Sequence, residues 1–183
     1  MLTLLLGGAR SGKSSLAVAI AARSGRPVSF IATGVARDAE FAERIARHRA
    51  ERPPEWHTTE VPLEIEAALA ALPAEVTVVL DCLTLWVANL ADEGADDTAI
   101  VERATALASL ARGRPAPTVV VSNEVGSGIV PADAYSRRYR DALGRVNSAV
   151  ADASDDAYLV VAGRVLALYD LDTAPARPTR SPS

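Results

Sequence analysis

Five short runs of apolar residues recur along the chain, and stretches with helical periodicity separate them. The apolar runs cover residues 2–6, 28–32, 76–80, 118–122 and 158–162. The intervening stretches are amphipathic or rich in alanine and cover residues 14–23, 39–49, 63–71, 97–112 and 133–153. Strands that are apolar throughout are typical of a sheet covered on both faces, so the alternation predicts an α/β fold with a mainly parallel sheet and helices on both faces. Because crossovers between parallel strands are right-handed, we expect the functional loops to meet at the carboxyl edge of that sheet.

The length of 183 residues suits a single domain with a full core. We assign residues 1–172 to this domain. Residues 173–183 contain three prolines and no apolar periodicity, so we expect a mobile tail without a catalytic role. No apolar run approaches the ~20 residues that a membrane span requires, and no basic leader precedes the first run. The sequence therefore predicts a cytoplasmic protein with no membrane span.

Charge and cysteine content narrow the expected partners. The net charge is −4 and the 19 basic residues are spread along the chain, so no overall field favours nucleic acid. The single cysteine, Cys82, excludes an intramolecular disulfide, and two histidines with one cysteine do not supply a recognisable structural zinc site. Small molecules that carry phosphate groups are therefore the expected partners.

The first apolar run leads directly into Gly-x-x-x-x-Gly-Lys-Ser at residues 7–14, the pattern of a phosphate-binding P-loop. Glycines allow the loop to turn successive N–H groups inward around phosphate oxygens. Lys13 is expected to reach the β- and γ-phosphates of a nucleotide triphosphate, and Ser14 to place its hydroxyl on Mg²⁺ where a helix begins. The alternative is a glycine-rich turn with no ligand. The predicted contacts in this loop are Gly7, Gly8, Ala9, Arg10, Ser11, Gly12, Lys13 and Ser14.

The third apolar run ends in Asp81, which suits a Walker B carboxylate. In that interpretation its strand lies beside the P-loop strand and delivers the carboxylate to the Mg²⁺ that Ser14 holds. The alternative is that Asp81 only caps a helix around residues 84–90. The neighbouring Cys82 is predicted to be a small core residue and not a nucleophile.

His48 lies in a helical segment and shares an apolar face with Phe41 and Ile45, at positions i, i+4 and i+7. The ordinary interpretation is a packed, hydrogen-bonded histidine. However, three arginines surround it, and their charge would attract a polyphosphate and favour the neutral, nucleophilic imidazole. These arginines are Arg47, Arg49 and Arg52. His48 is therefore a candidate to attack phosphorus, whereas His57 lacks such neighbours and is predicted to be structural.

Several ordered motifs together resemble the bifunctional adenosylcobinamide kinase and adenosylcobinamide-phosphate guanylyltransferase family of cobalamin biosynthesis. The resemblance runs from residue 2 to about residue 163. The histidine segment and Asn-Glu-Val-Gly-Ser-Gly-Ile-Val-Pro are its most specific parts. The motifs are the P-loop, Phe-Ile-Ala-Thr at residues 30–33, the histidine segment at residues 38–56, Glu60, residues 81–90 and residues 122–131.

This resemblance implies two reactions on one RecA-like P-loop NTPase domain. The hydroxyl of adenosylcobinamide first takes the γ-phosphoryl group of ATP or GTP. His48 then attacks the α-phosphorus of GTP, releases pyrophosphate and passes GMP to the adenosylcobinamide phosphate, which gives adenosyl-GDP-cobinamide. The resemblance also implies a homotrimer, and we infer that Glu60 accepts hydrogen bonds from the guanine edge. The nucleotide contacts implied beyond the P-loop are Ala32, Thr33, Gly34, Arg49, Ala50, Glu51, Arg52, Glu60 and Asp81.

Two other functions stay open from the sequence. One is a single-activity P-loop kinase for another small metabolite, with His48 structural. The other is a regulatory GTPase or ATPase, which is disfavoured because the guanine-reading motif Asn-Lys-x-Asp does not follow the fourth apolar run. The loop at residues 123–131 either approaches a ligand or forms a structural turn.

Overall fold

The computed structural model describes residues 1–36, 38–50, 52–170 and 172. Within them the chain alternates between strands and helices, as the apolar pattern predicts. The strands are β1 (Leu2–Leu6), β2 (Val28–Ala32), β3 (His57–Glu60), β4 (Thr77–Asp81), β5 (Thr118–Val121), β6 (Asp156–Val161) and β7 (Arg164–Leu168). The helices are α1 (Lys13–Ala22), α2 (Ala39–Ala50), α3 (Ile65–Ala71), α4 (Leu83–Asp92), α5 (Asp97–Arg112) and α6 (Ala134–Ala153).

The strands form one sheet in the order β3-β2-β4-β5-β1-β6-β7. All neighbouring pairs are parallel except β6 and β7, which confirms the mainly parallel sheet. The expected adjacency of the Asp81 strand and the P-loop strand is wrong, because β5 lies between β4 and β1. Val121 of β5 is in register with Leu5 on one side and with Asp81 on the other. The four residues of β5 are all buried, so this strand suits a central position with partners on both edges.

Side chains alternate between the two faces of the sheet and build a separate apolar layer on each. On one face, Val78 and Leu80 pack with residues of α3, α4, α5 and α6. On the other face, Val79 packs with Phe30 and with Ala17 and other small residues of α1. Both layers exclude water, which accounts for strands without polar alternation and confirms helices on both faces.

The strands that the sequence pattern left out are the two at the edges of the sheet. The edge strand β3 has mostly exposed polar residues, and β7 is the antiparallel strand at the other edge of the sheet.

Helix α5 begins where the sequence predicts, because the carboxylate of Asp96 accepts a hydrogen bond of 2.8 Å from the backbone N–H of Ala99. The expected tail at residues 173–183 lies outside the described residues.

Candidate functional site

The P-loop connects β1 to α1 with backbone angles that require glycine. Gly7 has φ +152°, and a Cβ atom there would lie 2.2 Å from the carbonyl oxygen of Val160. Gly12 has φ +103° and is the N-cap residue of α1. A side chain at Gly7 would therefore clash with β6, and a side chain at Gly12 would be strained. The loop reaches the N-terminus of α1, where free N–H groups and the helix dipole favour phosphate.

Lys13 is the only lysine in the chain. Its side chain lies across its own loop, because Nζ donates hydrogen bonds of 2.7 Å to the carbonyl oxygens of both Gly7 and Gly8. Nζ also lies 3.4 Å from the Oγ atom of Ser11. Lys13 is only 6% exposed. The loop thus holds one buried ammonium group where phosphate oxygens are expected.

A cavity of about 530 Å³ opens at the carboxyl edge of the sheet and joins the P-loop to the last turn of α2. It brings together most of the residues that the sequence predicts for the site. Ile45 contributes an apolar wall beside His48, as their shared helix face predicts. The predicted residues that line the cavity are Ala9, Arg10, Ser11, Gly12, Lys13, Ser14, Ala32, Gly34, His48, Arg49, Arg52, Glu60 and Asp81.

Four predicted residues share a smaller cavity of about 140 Å³ beside the larger one: Ser14, His48, Arg52 and Asp81. The Arg52 guanidinium stacks on the Phe30 ring, 3.6 Å from the ring centroid, and its Nε atom is buried without a hydrogen-bond partner. Burial lowers the pKa of Arg52, and the nearby Asp81 carboxylate opposes that shift. The guanidinium is therefore stacked in place at the wall of both cavities, where a guanidinium can donate to an anion.

Asp81 is the last residue of β4 and is half-buried at the cavity wall. The N-cap residue of α4 is Cys82, so the alternative that Asp81 caps this helix is wrong. Burial, and next the Asp81 carboxylate, raise the pKa of the Cys82 thiol to about 11. The thiol is therefore protonated at neutral pH, which supports the prediction that Cys82 is not a nucleophile.

Thr33 was predicted to contact nucleotide, but its side chain is buried and is not among the groups that line the cavity. Its hydroxyl donates a 2.7 Å hydrogen bond to the carbonyl oxygen of Cys82 and accepts one of 3.0 Å from the Cys82 N–H. Asn89 extends this link, since its Nδ2 atom donates to the carbonyl oxygens of Thr33 and Pro62. Thr33 thus joins the ends of β2 and β4 and fixes the backbone that follows Asp81.

Three other predicted contacts fall outside the cavity wall. Gly7 and Gly8 take part through their carbonyl groups, which accept from Lys13. Ala50 is the exposed last residue of α2. The predicted contact at Glu51 lies outside the described residues.

Arg49 and Glu60 form an ion pair in the cavity wall, with 3.6 Å between Nη1 and Oε1. Their side chains are 64% and 58% exposed, so the ion pair contributes little stability and exchanges readily with a ligand. Glu60 is the last residue of β3, which explains how an edge strand without an apolar run still reaches the site.

Asn123 lines the cavity, although the sequence analysis did not name it as a site residue and left open whether its loop approaches a ligand. It follows β5 at the same sheet edge as Asp81. Its N–H donates a 2.8 Å hydrogen bond to Oγ1 of Thr84, which also lines the cavity. A polar residue just after a buried strand is the signal that identified Asp81, and the same signal applies to Asn123.

Fold and site together define a P-loop NTPase of the RecA-like class. The crystal structure of the RadB recombinase matches the fold with a TM-score of 0.50 at 18% identity, over 86% of this chain and 73% of that chain. The sequence profile of the family described as cobinamide kinase / cobinamide phosphate guanyltransferase matches residues 3–168. The chain belongs to this family.

Two curated relatives extend this assignment over nearly the whole chain. The bifunctional adenosylcobalamin biosynthesis protein CobP of Pseudomonas aeruginosa is 44% identical over 164 residues, which cover 89% of this chain and 94% of the relative. The corresponding protein CobU of Salmonella typhimurium is 38% identical over 176 residues, which cover 89% of this chain and 97% of the relative.

Among the described residues, none of the helices has the length and apolar character needed to cross a membrane.

Proposed function

We propose that this chain phosphorylates adenosylcobinamide with ATP or GTP and then transfers GMP from GTP to the product, with GMP held on His48. One observation carries the proposal: the P-loop lysine, the Asp81 carboxylate and the His48 imidazole line the same cavity. A phosphate-binding loop alone serves only a triphosphate. A histidine beside it adds a nucleophile for a second reaction.

The kinase step needs positioning and neutralisation of charge. Loop N–H groups and Lys13 would hold the β- and γ-phosphates. The hydroxyl of Ser14 and the carboxylate of Asp81 line one cavity and supply the oxygen ligands that Mg²⁺ prefers. These two residues would hold the Mg²⁺ ion. When bound, Mg²⁺ would offset negative charge on the phosphate oxygens.

The guanylyl step needs a nucleophile that is also a good leaving group. A ring nitrogen of His48 would form a bond to the α-phosphorus as the bond to the bridging oxygen breaks, and pyrophosphate leaves. An oxygen of the cobinamide phosphate would then attack the same phosphorus and release the imidazole. Serine or threonine would give a stable ester that is hard to pass on. Arg49 and Arg52 would stabilise charge on the phosphates during both transfers.

Product analysis tests the complete proposal. Purified protein, adenosylcobinamide, GTP and Mg²⁺ are expected to yield adenosylcobinamide phosphate first and adenosyl-GDP-cobinamide next, with release of GDP and pyrophosphate. Chromatography with mass detection resolves the four products. Formation of the phosphate alone, even when that phosphate is supplied with fresh GTP, would support the single-activity kinase instead.

Glu60 is proposed to select guanine, because its carboxylate can accept from both N1–H and the N2 amino group, an edge that adenine lacks. Glu60→Gln is expected to lower kcat/KM for guanylylation by GTP about 10- to 100-fold, the effect of losing a charged hydrogen bond. ATP-dependent phosphorylation should change little. Glu55→Gln is the matched control, since Glu55 is exposed and lies outside the 530 Å³ cavity. Equal losses with ATP and GTP would contradict a guanine-reading role.

A homotrimer is also proposed. Support for self-association comes from β7 and the residue that follows it, where the large hydrophobic side chains of Val165, Leu166 and Tyr169 are exposed. The number of subunits is what the family resemblance implies. Light scattering is expected to give three times the 19.1 kDa chain mass. A monomeric mass would contradict the proposal. The cytoplasmic location and the lack of a nucleic-acid partner stay predictions from the sequence.

A further inference from the structure

We infer that Asn123 is a catalytic residue of the kinase step, where its side-chain amide donates a hydrogen bond to the γ-phosphoryl group during transfer. This inference rests on the proposed function. The first support is strand order. Strand β5 lies between β1, which leads into the P-loop, and β4, which ends in Asp81. Asn123 comes two residues after Val121, whose partners in the sheet are Leu5 and Asp81. Asn123 therefore lies between the P-loop, which carries Lys13, and the carboxylate of Asp81.

The backbone of Asn123 is held from two sides. Its N–H donates a 2.8 Å hydrogen bond to Oγ1 of Thr84 on α4, and its carbonyl oxygen accepts one of 3.0 Å from Nδ2 of Asn147 on α6. Both partners are buried, with 7% and 6% exposure. Tyr139 supports the first of them, because its hydroxyl donates to the carbonyl oxygen of Thr84. These bonds use main-chain groups of Asn123 and leave its side chain available to a ligand.

The side chain of Asn123 is half-buried at the cavity wall. Within the described part of the chain, no hydrogen bond satisfies its amide. A neutral donor fixed in advance at the site of charge development stabilises a transition state without reorganisation. The main chain of Asn123 is fixed by its hydrogen bonds to Thr84 and Asn147, so the residue is held at the cavity wall with its amide available. The carboxylate of the neighbouring Glu124 is occupied, because it accepts hydrogen bonds from the N–H groups of Gly126 and Ser127.

Position along the sheet edge separates Asn123 from the histidine chemistry. His48 is on α2, which follows β2, and β2 flanks β4 on the side opposite to β5. Neighbouring strands are spaced by roughly 4.8 Å, so the tips of β2 and β5 are about 10 Å apart. Asn123 is therefore on the flank of the P-loop, which serves the terminal phosphates, and His48 enters from the other flank.

The step that Asn123 assists balances as follows. The substrate hydroxyl oxygen bonds to the γ-phosphorus while the bond from that phosphorus to the bridging oxygen breaks. ADP or GDP leaves, and the hydroxyl proton is released to solvent. Asn123 donates its Nδ2–H to a γ-phosphoryl oxygen throughout and takes no proton itself.

The test compares two reactions of the full-length protein. In Asn123→Ala, kcat for phosphorylation of adenosylcobinamide is expected to fall about 100-fold, as for a lost oxyanion donor. The rate at which His48 is guanylylated by GTP should fall less than about tenfold. Asn123→Asp keeps the shape but removes the donor, so with both rates measured at saturating nucleotide it should show the same split. Ser127→Ala, an exposed change in the same loop, is the control for loop disturbance.

Each outcome decides the inference. A split between the two rates in both variants supports it. Equal losses in the two reactions, or unchanged phosphorylation, overturn it while leaving the proposed function intact. Wild-type protein that guanylylates His48 but does not phosphorylate adenosylcobinamide overturns the kinase half of the proposed function, and the inference with it.

Discussion

Replacing His48 with alanine is expected to abolish the covalent GMP adduct. With GTP labelled at the α-phosphate, wild-type protein should gain a label that is labile in acid and stable in base, as expected for a phosphorus–nitrogen bond. His48→Ala should gain none, because the only other histidine, His57, is exposed on β3 and lies outside the cavity. His57→Ala is therefore the matched control and should label like wild type. Denaturing electrophoresis with scintillation counting measures the adduct.

The same variant separates the competing functions. His48→Ala should still phosphorylate adenosylcobinamide, because the γ-phosphoryl group passes directly to the substrate hydroxyl without a protein intermediate. Wild-type protein that shows kinase activity but no label would identify a single-activity kinase with a structural histidine. Label that persists in His48→Ala would place the nucleophile elsewhere in the chain.

Replacing Lys13 with methionine is expected to lower the rates of both reactions by at least about 100-fold, because the β- and γ-phosphates lose their charged donor. The leaving pyrophosphate of the guanylyl step occupies the same loop, so the loss should not be confined to the kinase. Addition of GTP should raise the Tm of wild-type protein and leave that of Lys13→Met nearly unchanged. Steady-state kinetics and thermal melts with and without GTP measure the two effects.

Arg23→Met provides the control for this experiment, since Arg23 is an exposed basic residue at the other end of α1. It should keep both activities and the shift in Tm. Lys13→Met removes the donor to the carbonyl groups of Gly7 and Gly8, so its Tm without nucleotide must also be compared with wild type. Full guanylylation by a folded Lys13→Met protein would show that GTP binds without the P-loop lysine.

Elements with their own apolar or capping signal could be predicted from the sequence. β1, β2 and α5 lie where the pattern places them, because burial on both faces or a cap such as Asp96 acts locally. β3 and β7 depend on an edge partner that no local signal specifies. The order of the central strands could not be predicted either. The sequence of the Asp81 strand shows where that strand ends, but it does not show which strands pair with it.

The site residues also divide into those with a local sequence signal and those whose role depends on distant partners. Residues of the P-loop are contiguous, so their geometry is encoded within eight positions, and His48 could be placed on a face by helical spacing. Thr33 and Asn123 could not be interpreted in this way. The hydroxyl of Thr33 is bonded to the backbone of Cys82, and the backbone of Asn123 is bonded to Thr84 and Asn147. These contacts exist only after the strands have assembled.

The single lysine also makes the P-loop chemically addressable. Apart from the N-terminal amine, Lys13 carries the only primary amine in the chain, and it is 6% exposed where it bonds to Gly7 and Gly8. An acylating reagent selective for primary amines therefore has Lys13 as its one side-chain target, and mass spectrometry distinguishes that modification from one at the N-terminal amine. The extent of acylation at Lys13 measures how often the loop opens. The decrease in this acylation when GTP or ATP is added measures nucleotide occupancy at the Lys13 Nζ atom.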